Sequence, residues 1–161
     1  MALTISERDG RVVLTSPYHP AIPPAARALA GKWNATRKVW SFDARDLDRV
    51  RELCVTVYGI DPLAPAPADL LTVRVDLDRL DLADSLFALG RQLARRAGRD
   101  YAVRLGEGVV ILAGGFPAHG GSVKYPRLAP LPGTVLEVRD VPRMAVENAP
   151  PAIRAALVEG E

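Results

Sequence analysis

Cysteine is nearly absent from this 161-residue chain: Cys54 stands alone, which excludes an intramolecular disulfide and fits a reducing cytoplasm. Histidine is almost as scarce. His19 and His119 are far apart, and neither stands in zinc-ligand spacing with Cys54. No apolar run approaches the roughly 20 residues that a membrane span needs. The first ten residues include Glu7 and Asp9 with neither a basic start nor an apolar stretch, so no signal peptide is expected. Net charge is only +2, too little to argue for a partner by itself. Gly114 to Lys124 is glycine-rich, yet no Gly-Lys-Ser/Thr follows the glycines, so a mobile loop between strands is expected there rather than a phosphate cradle. Cys54 falls on an apolar helical stripe, as a buried structural thiol does, and the pairs Asp76/Asp78 and Asp81/Asp84 suit caps and surface charge. These absences argue against an enzyme and imply neither cofactor nor metal.

What is present is ordinary for a folded chain, with 48% hydrophobic and 25% charged residues. The composition breaks once. Pro62, Pro65 and Pro67 crowd the stretch 61–69, exclude a helix and favour an extended connector, so the expected organisation is a module over 1–60, a connector over 61–69 and a second module over 70–161. The fold class expected is α+β. In the first module, Leu3 and Ile5 alternate with polar residues, Asp9-Gly10 offers a hairpin turn, and Val12 to Thr15 resumes extended character. Pro23 and Pro24 suit the first turn of a helix reaching Leu29, with Gly31 as its left-handed cap. Lys38 to Phe42 reads as a strand joined to Lys32 and Trp33 through a turn at Asn34 to Arg37. Asp43 then caps a helix carrying Leu47, Val50, Cys54, Val57 and Tyr58, ended by Gly59. The order expected is ββαββα.

For the second module the pattern predicts βαβββ with a short terminal helix. Leu71, Val73 and Val75 alternate as a strand. Leu82, Leu86, Leu89, Leu93 and Ala97 form the stripe of a helix ending at Gly98, with Arg91, Arg95, Arg96 and Arg99 on its other side. Tyr101 to Leu105 and Val109 to Ala113 flank Gly106-Glu107-Gly108 as a hairpin, Thr134 to Val138 makes a further strand, and Pro150-Pro151 starts the terminal helix.

Charge is distributed unevenly. Residues 1–60 hold nine Lys or Arg against six Asp or Glu, and the segment Lys32 to Phe42 interleaves Trp33, Trp40 and Phe42 with Lys32, Arg37 and Lys38. Bases stack on aromatic faces while phosphates attract cations, so this mixture suits a single strand or a fork. Core packing is the competing reading for each tryptophan. Trp40 and Phe42 share one strand face and are expected to point inward, which leaves Trp33, near the turn, as the stacking candidate.

Tyr18-His19-Pro20, the short alanine-rich helix, Lys32-Trp33-Asn34 and Lys38-Val39-Trp40-Ser41-Phe42 together resemble the HARP domain of annealing helicases over residues 11–59. The resemblance implies recognition of forked or partly single-stranded DNA through Lys32, Trp33, Arg37, Lys38 and Trp40. Arg27 keeps one cation on a helix that usually bears a phenylalanine and a lysine in that family. The sequence carries no nucleotide-binding motif of a motor, so binding or annealing is expected without translocation. Arg91, Arg95, Lys124 and Arg127 are further backbone-contact candidates in the second module. The alternative expected from an exposed aromatic patch is an interaction module or inhibitor of the kind mobile elements encode, using Trp33 and the glycine-rich loop against another protein, and a protein partner is also expected through the second module.

Overall fold

The computed structural model describes residues 2–158. It is an α+β protein of three small antiparallel sheets and four helices among those residues. The chain divides into two compact units between Ala68 and Asp69, at the end of the proline and alanine stretch.

The first unit follows the expected order: β1 (Thr4–Arg8), β2 (Arg11–Thr15), α1 (Ile22–Ala28), β3 (Lys32–Asn34), β4 (Val39–Asp43) and α2 (Leu47–Tyr58). Asp9 and Gly10, at φ 52° and 73°, form the two-residue turn whose twist matches a hairpin. The sheet runs β1-β2-β4-β3. Alternation sends Val12, Leu14, Trp40 and Phe42 to one face, where they bury with Ile22 and Ala26 of α1 and with Val50, Cys54 and Tyr58 of α2. Each large side chain so buried contributes roughly 1.5–3 kcal/mol. Burial pushes the Cys54 thiol up to about 12, as befits a core residue.

Two local expectations shift by a residue or so. The left-handed residue after α1 is Ala30 (φ 56°), not Gly31. Gly31 is needed for a different reason: a Cβ there would lie 2.6 Å from Phe42 Cε1 and 2.8 Å from the Ala26 carbonyl oxygen. Asp43 Oδ1 accepts from the Arg45 N–H at 2.9 Å and so caps a 3₁₀ turn, Ala44–Asp46, that leads into α2. Gly59, at φ 73°, ends α2 as expected.

The second unit contains β5 (Leu70–Asp76), β6 (Ser85–Ala88), β7 (Arg91–Arg95), β8 (Arg104–Leu105), β9 (Val109–Ala113), β10 (Val135–Pro142), α3 (Arg143–Glu147), α4 (Pro151–Ala156) and β11 (Leu157–Val158). One sheet runs β11-β5-β10-β9 and another β6-β7-β8. Three readings of the sequence are corrected here. The expected helix over 82–97 is a hairpin: Leu89 and Gly90, at φ 56° and 79°, turn the chain, and Arg91 and Arg95 stand on a strand. The order is therefore not βαβββ. Nor do 101–105 and 109–113 pair with each other; β8 joins β7, whereas β9 joins β10. The terminal helix is present as α4, with Pro151 in its first turn.

The third correction concerns Arg96 and the glycine-rich loop, whose backbone carbonyls it binds. Arg96, expected on a solvated helix face, is fully buried. Its guanidinium donates to the carbonyl oxygens of Arg127 (2.6 Å), Tyr101 (2.7 Å), Pro117 (2.9 Å), Leu128 (3.0 Å) and Ala118 (3.2 Å). These five bonds match the five N–H donors of the group and offset its desolvation. Gly120 is required because a Cβ there would overlap the Arg127 carbonyl oxygen and stand 2.8 Å from Arg96 Nε.

Candidate nucleic-acid interface

The β2 to α1 loop, α1 and the β3–β4 hairpin enclose a groove of about 320 Å³ in the first unit, lined by Tyr18, His19, Arg27, Trp33, Lys38 and Trp40 among others. Trp33 and Trp40 face each other across β3 and β4, so both rings stand on the same side of the sheet. Their centroids are 5.4 Å apart with the planes tilted by 51°. Burial separates their roles. Trp40 is 6% exposed and belongs to the core, while Trp33, on the edge strand, is 50% exposed. Arg27, from the last turn of α1, places its guanidinium carbon 5.9 Å from the centre of the Trp40 ring.

Opposite the indoles, the loop preceding α1 is anchored on α2. The Tyr58 hydroxyl donates to the Pro17 carbonyl oxygen at 2.5 Å, and the His19 ring meets the Tyr58 ring edge-on at 5.9 Å. His19 Nδ1 accepts from the Ala21 N–H at 3.1 Å. Burial pushes the His19 pKa below its ordinary value of 6.5, so the ring is neutral at neutral pH and leaves the cationic work to others. Tyr18 is strongly exposed at the mouth.

The turn at the other end is built by Asn34, whose Oδ1 accepts from the N–H groups of Thr36 (3.1 Å) and Arg37 (3.0 Å). It closes through the Lys38 N–H donating to the Asn34 carbonyl oxygen at 2.7 Å. Lys38 takes φ 57°, a left-handed position that glycine would occupy without strain. A lysine there directs a cation into the groove lining.

Electrostatically the groove is one-sided. Among the described residues, Arg27, Lys32, Arg37 and Lys38 form no ion pair, whereas Arg45, Arg49 and Arg51 are paired with Asp43, Asp46 and Asp61. The acidic partners thus accompany α2 and its flanks and leave the hairpin cations available.

Of the residues read from the sequence, the structure brings Arg27, Trp33, Lys38 and Trp40 together. Lys32 pairs with Ser41 and, one residue from Trp33, stands on the opposite face of the sheet; Arg37 is exposed in the turn, outside the groove lining. Arg91, Arg95, Lys124 and Arg127 belong to the second unit. The Arg91 guanidinium donates to the carbonyl oxygens of Glu107, Arg139 and Asp140, and that of Arg127 to the Leu82 carbonyl oxygen and Asp81. Both are occupied in holding the backbone. Lys124 lies against the Tyr125 ring, 5.4 Å from its centre, and Arg95 is exposed. Tyr18 and His19 were missed as site residues, although the Tyr18-His19-Pro20 run was visible in the sequence. Among the described residues no cluster of three or more His, Cys, Asp or Glu is placed to hold a metal, and no helix is long and apolar enough to cross a membrane.

Comparison of the chain with protein-family models, curated proteins and solved structures returns no match.

Proposed function

We propose that the first unit binds single-stranded or forked DNA, as the likeness to HARP domains implies, with no motor or catalytic activity of its own. The observation that carries this reading is a half-exposed indole, Trp33, beside cations that no described carboxylate neutralises. A base stacks on the outer face of Trp33 while Arg27 and Lys38 receive the flanking phosphates, and Lys32 and Arg37 extend the basic surface beyond the groove. One stacked base is worth about 1–3 kcal/mol, comparable with several phosphate contacts at moderate salt. A reducing cytoplasm suits the lone buried thiol.

Anisotropy of labelled single-stranded, duplex and forked DNA at two salt concentrations tests the reading. Micromolar or tighter binding to the single strand or fork is expected, falling with a log-log salt slope of roughly −3 if four cations engage phosphates. Flat signals on all three DNAs exclude it.

A second reading, a protein-interaction module, draws on the apolar side chains that the second unit exposes. Val123, Tyr125 and Leu131 are all exposed, as are Ile111 and Leu112 on β9, an edge strand. Flat DNA signals would favour it.

A further inference from the structure

The second unit holds another open cavity, of about 600 Å³, lined by Gln92, Arg95, Tyr101 and Arg104 together with small residues. Arg95 on β7 and Arg104 on β8 are registered directly opposite each other, so both side chains leave the same face of the three-stranded sheet and line the same cavity. Like charges in that position repel. Neither arginine makes an ion pair or a side-chain hydrogen bond among the described residues, in contrast to Arg91, Arg96 and Arg127 of the same unit. Arg99, the neighbouring cation, is instead taken up by Asp100 in a two-point contact, with His119 on the same carboxylate.

Tyr101 is 66% exposed, yet its position is fixed from beneath. Its carbonyl oxygen accepts from Arg96, and its N–H donates to the Gly98 carbonyl oxygen at 3.1 Å. Gly98 lacks the Cβ that would stand 2.8 Å from the ring. An exposed aromatic whose backbone is anchored by a buried guanidinium has no backbone freedom left to lose on binding a ligand.

We propose that Arg95 and Arg104 clamp one phosphodiester of a single strand, Gln92 donating to a phosphate oxygen and Tyr101 stacking on the adjacent base. Paired guanidinium forks match phosphate geometry, and a bound dianion or diester removes the repulsion between them. The aromatic ring in the same cavity is what distinguishes a strand from a free anion. This proposal rests on the single-strand reading above and extends it to the second unit.

The test uses the full chain, with the double variant Arg95→Gln/Arg104→Gln, the charge-preserving Arg95→Lys/Arg104→Lys, and Trp33→Ala as a separate arm, all checked for unchanged melting. For a single-stranded 20-mer the glutamine pair is expected to bind about tenfold more weakly and to flatten the log-log salt slope by about 0.7, as the loss of one phosphate contact requires. The lysine pair should keep the slope while losing part of the affinity. Binding and slope unchanged in the glutamine pair, with Trp33→Ala still harmful, overturn this site alone. Loss in the glutamine pair with no effect of Trp33→Ala upholds this site and removes the first-unit groove. Absence of binding by the unaltered chain overturns both. Inorganic phosphate supplies the remaining arm: if it moves the arginine side-chain NMR signals while the 20-mer affinity of the glutamine pair is normal, the cavity takes a free anion and not a strand.

Discussion

In the second unit Arg91, Arg96 and Arg127 direct their donors at backbone carbonyls, whereas in the first unit Arg27, Lys32, Arg37 and Lys38 meet no carboxylate among the described residues. The contrast does not follow from composition, since both units are rich in arginine. It follows from what surrounds each group. Arg96 sits where a loop doubles back over a sheet and presents five carbonyl oxygens with no strand to pair with. The hairpin cations of the first unit sit on an edge strand and turn whose own backbone groups are already matched by Asn34 and β4. Cations that satisfy backbone are structural; cations left over beside an exposed indole are available to a ligand. Arg95 and Arg104 of the second unit likewise meet neither carboxylate nor carbonyl among the described residues, and they line one cavity together.

The largest effect that would break this contrast is expected at Arg96. Arg96→Met strands five carbonyl acceptors and should cost about 3–5 kcal/mol. Hydrogen exchange should show protection lost across β6, β7 and the loop at 117–128, and unchanged protection would mean the guanidinium is not the organiser. In the first unit Gly31→Ala forces a methyl against Phe42 and the Ala26 carbonyl, and about 2–3 kcal/mol of destabilisation is expected in urea unfolding followed by tryptophan fluorescence.

Lys38→Gly sharpens the comparison because stability and binding should move in opposite directions. Relief of the left-handed backbone should raise stability by about 1 kcal/mol, while loss of the cation weakens strand binding and flattens the salt slope by about 0.7. A variant that is more stable and binds equally well would show that Lys38 faces no phosphate.

The smallest effect is the pH dependence contributed by His19. Its pKa is lowered in the folded chain by burial, so the unfolded chain takes up the proton first as pH falls. Stability is therefore fully present above 6.5, the ordinary value, and declines as pH drops through and below it. Thermal melts between pH 7.5 and 5.5 should show this decline, and His19→Gln should reduce it.

The first unit was largely legible because its signals are local. Asp9-Gly10, the twin prolines of α1, the Asn34 turn and Gly59 each act within a few residues, and the Val12, Leu14, Trp40 and Phe42 alternation is uninterrupted. The second unit hid its hairpin behind an apparent helical stripe. Leucines at 82, 86, 89 and 93 recur at helical spacing only because a turn at Leu89-Gly90 and a bulge in β7 intervene. The bulge gives β7 one residue more than β6 across that stretch, so Leu93 and Ala94 are both buried. Gly90 at the centre of the supposed helix was the available contrary signal, costing about 1 kcal/mol in a helix and favouring a turn. The partners of Arg96 were not legible at all, since its acceptors come from segments up to 32 residues away in the chain. Within the candidate site, strand parity turned Trp40 and Phe42 inward as found, but it does not separate Trp33, which pairs with Trp40 on the same face and is exposed because β3 is the edge strand; the same parity, applied to Lys32, already placed it on the far side of the sheet.

The central claim, that a base stacks on Trp33, is tested most directly by intrinsic fluorescence. Titration of oligothymidylate into the unaltered chain should quench the indole emission saturably, with a midpoint that matches the anisotropy, and Trp33→Phe should abolish the quench. Binding by anisotropy with no change in emission, or a quench that persists in Trp33→Phe, would contradict it.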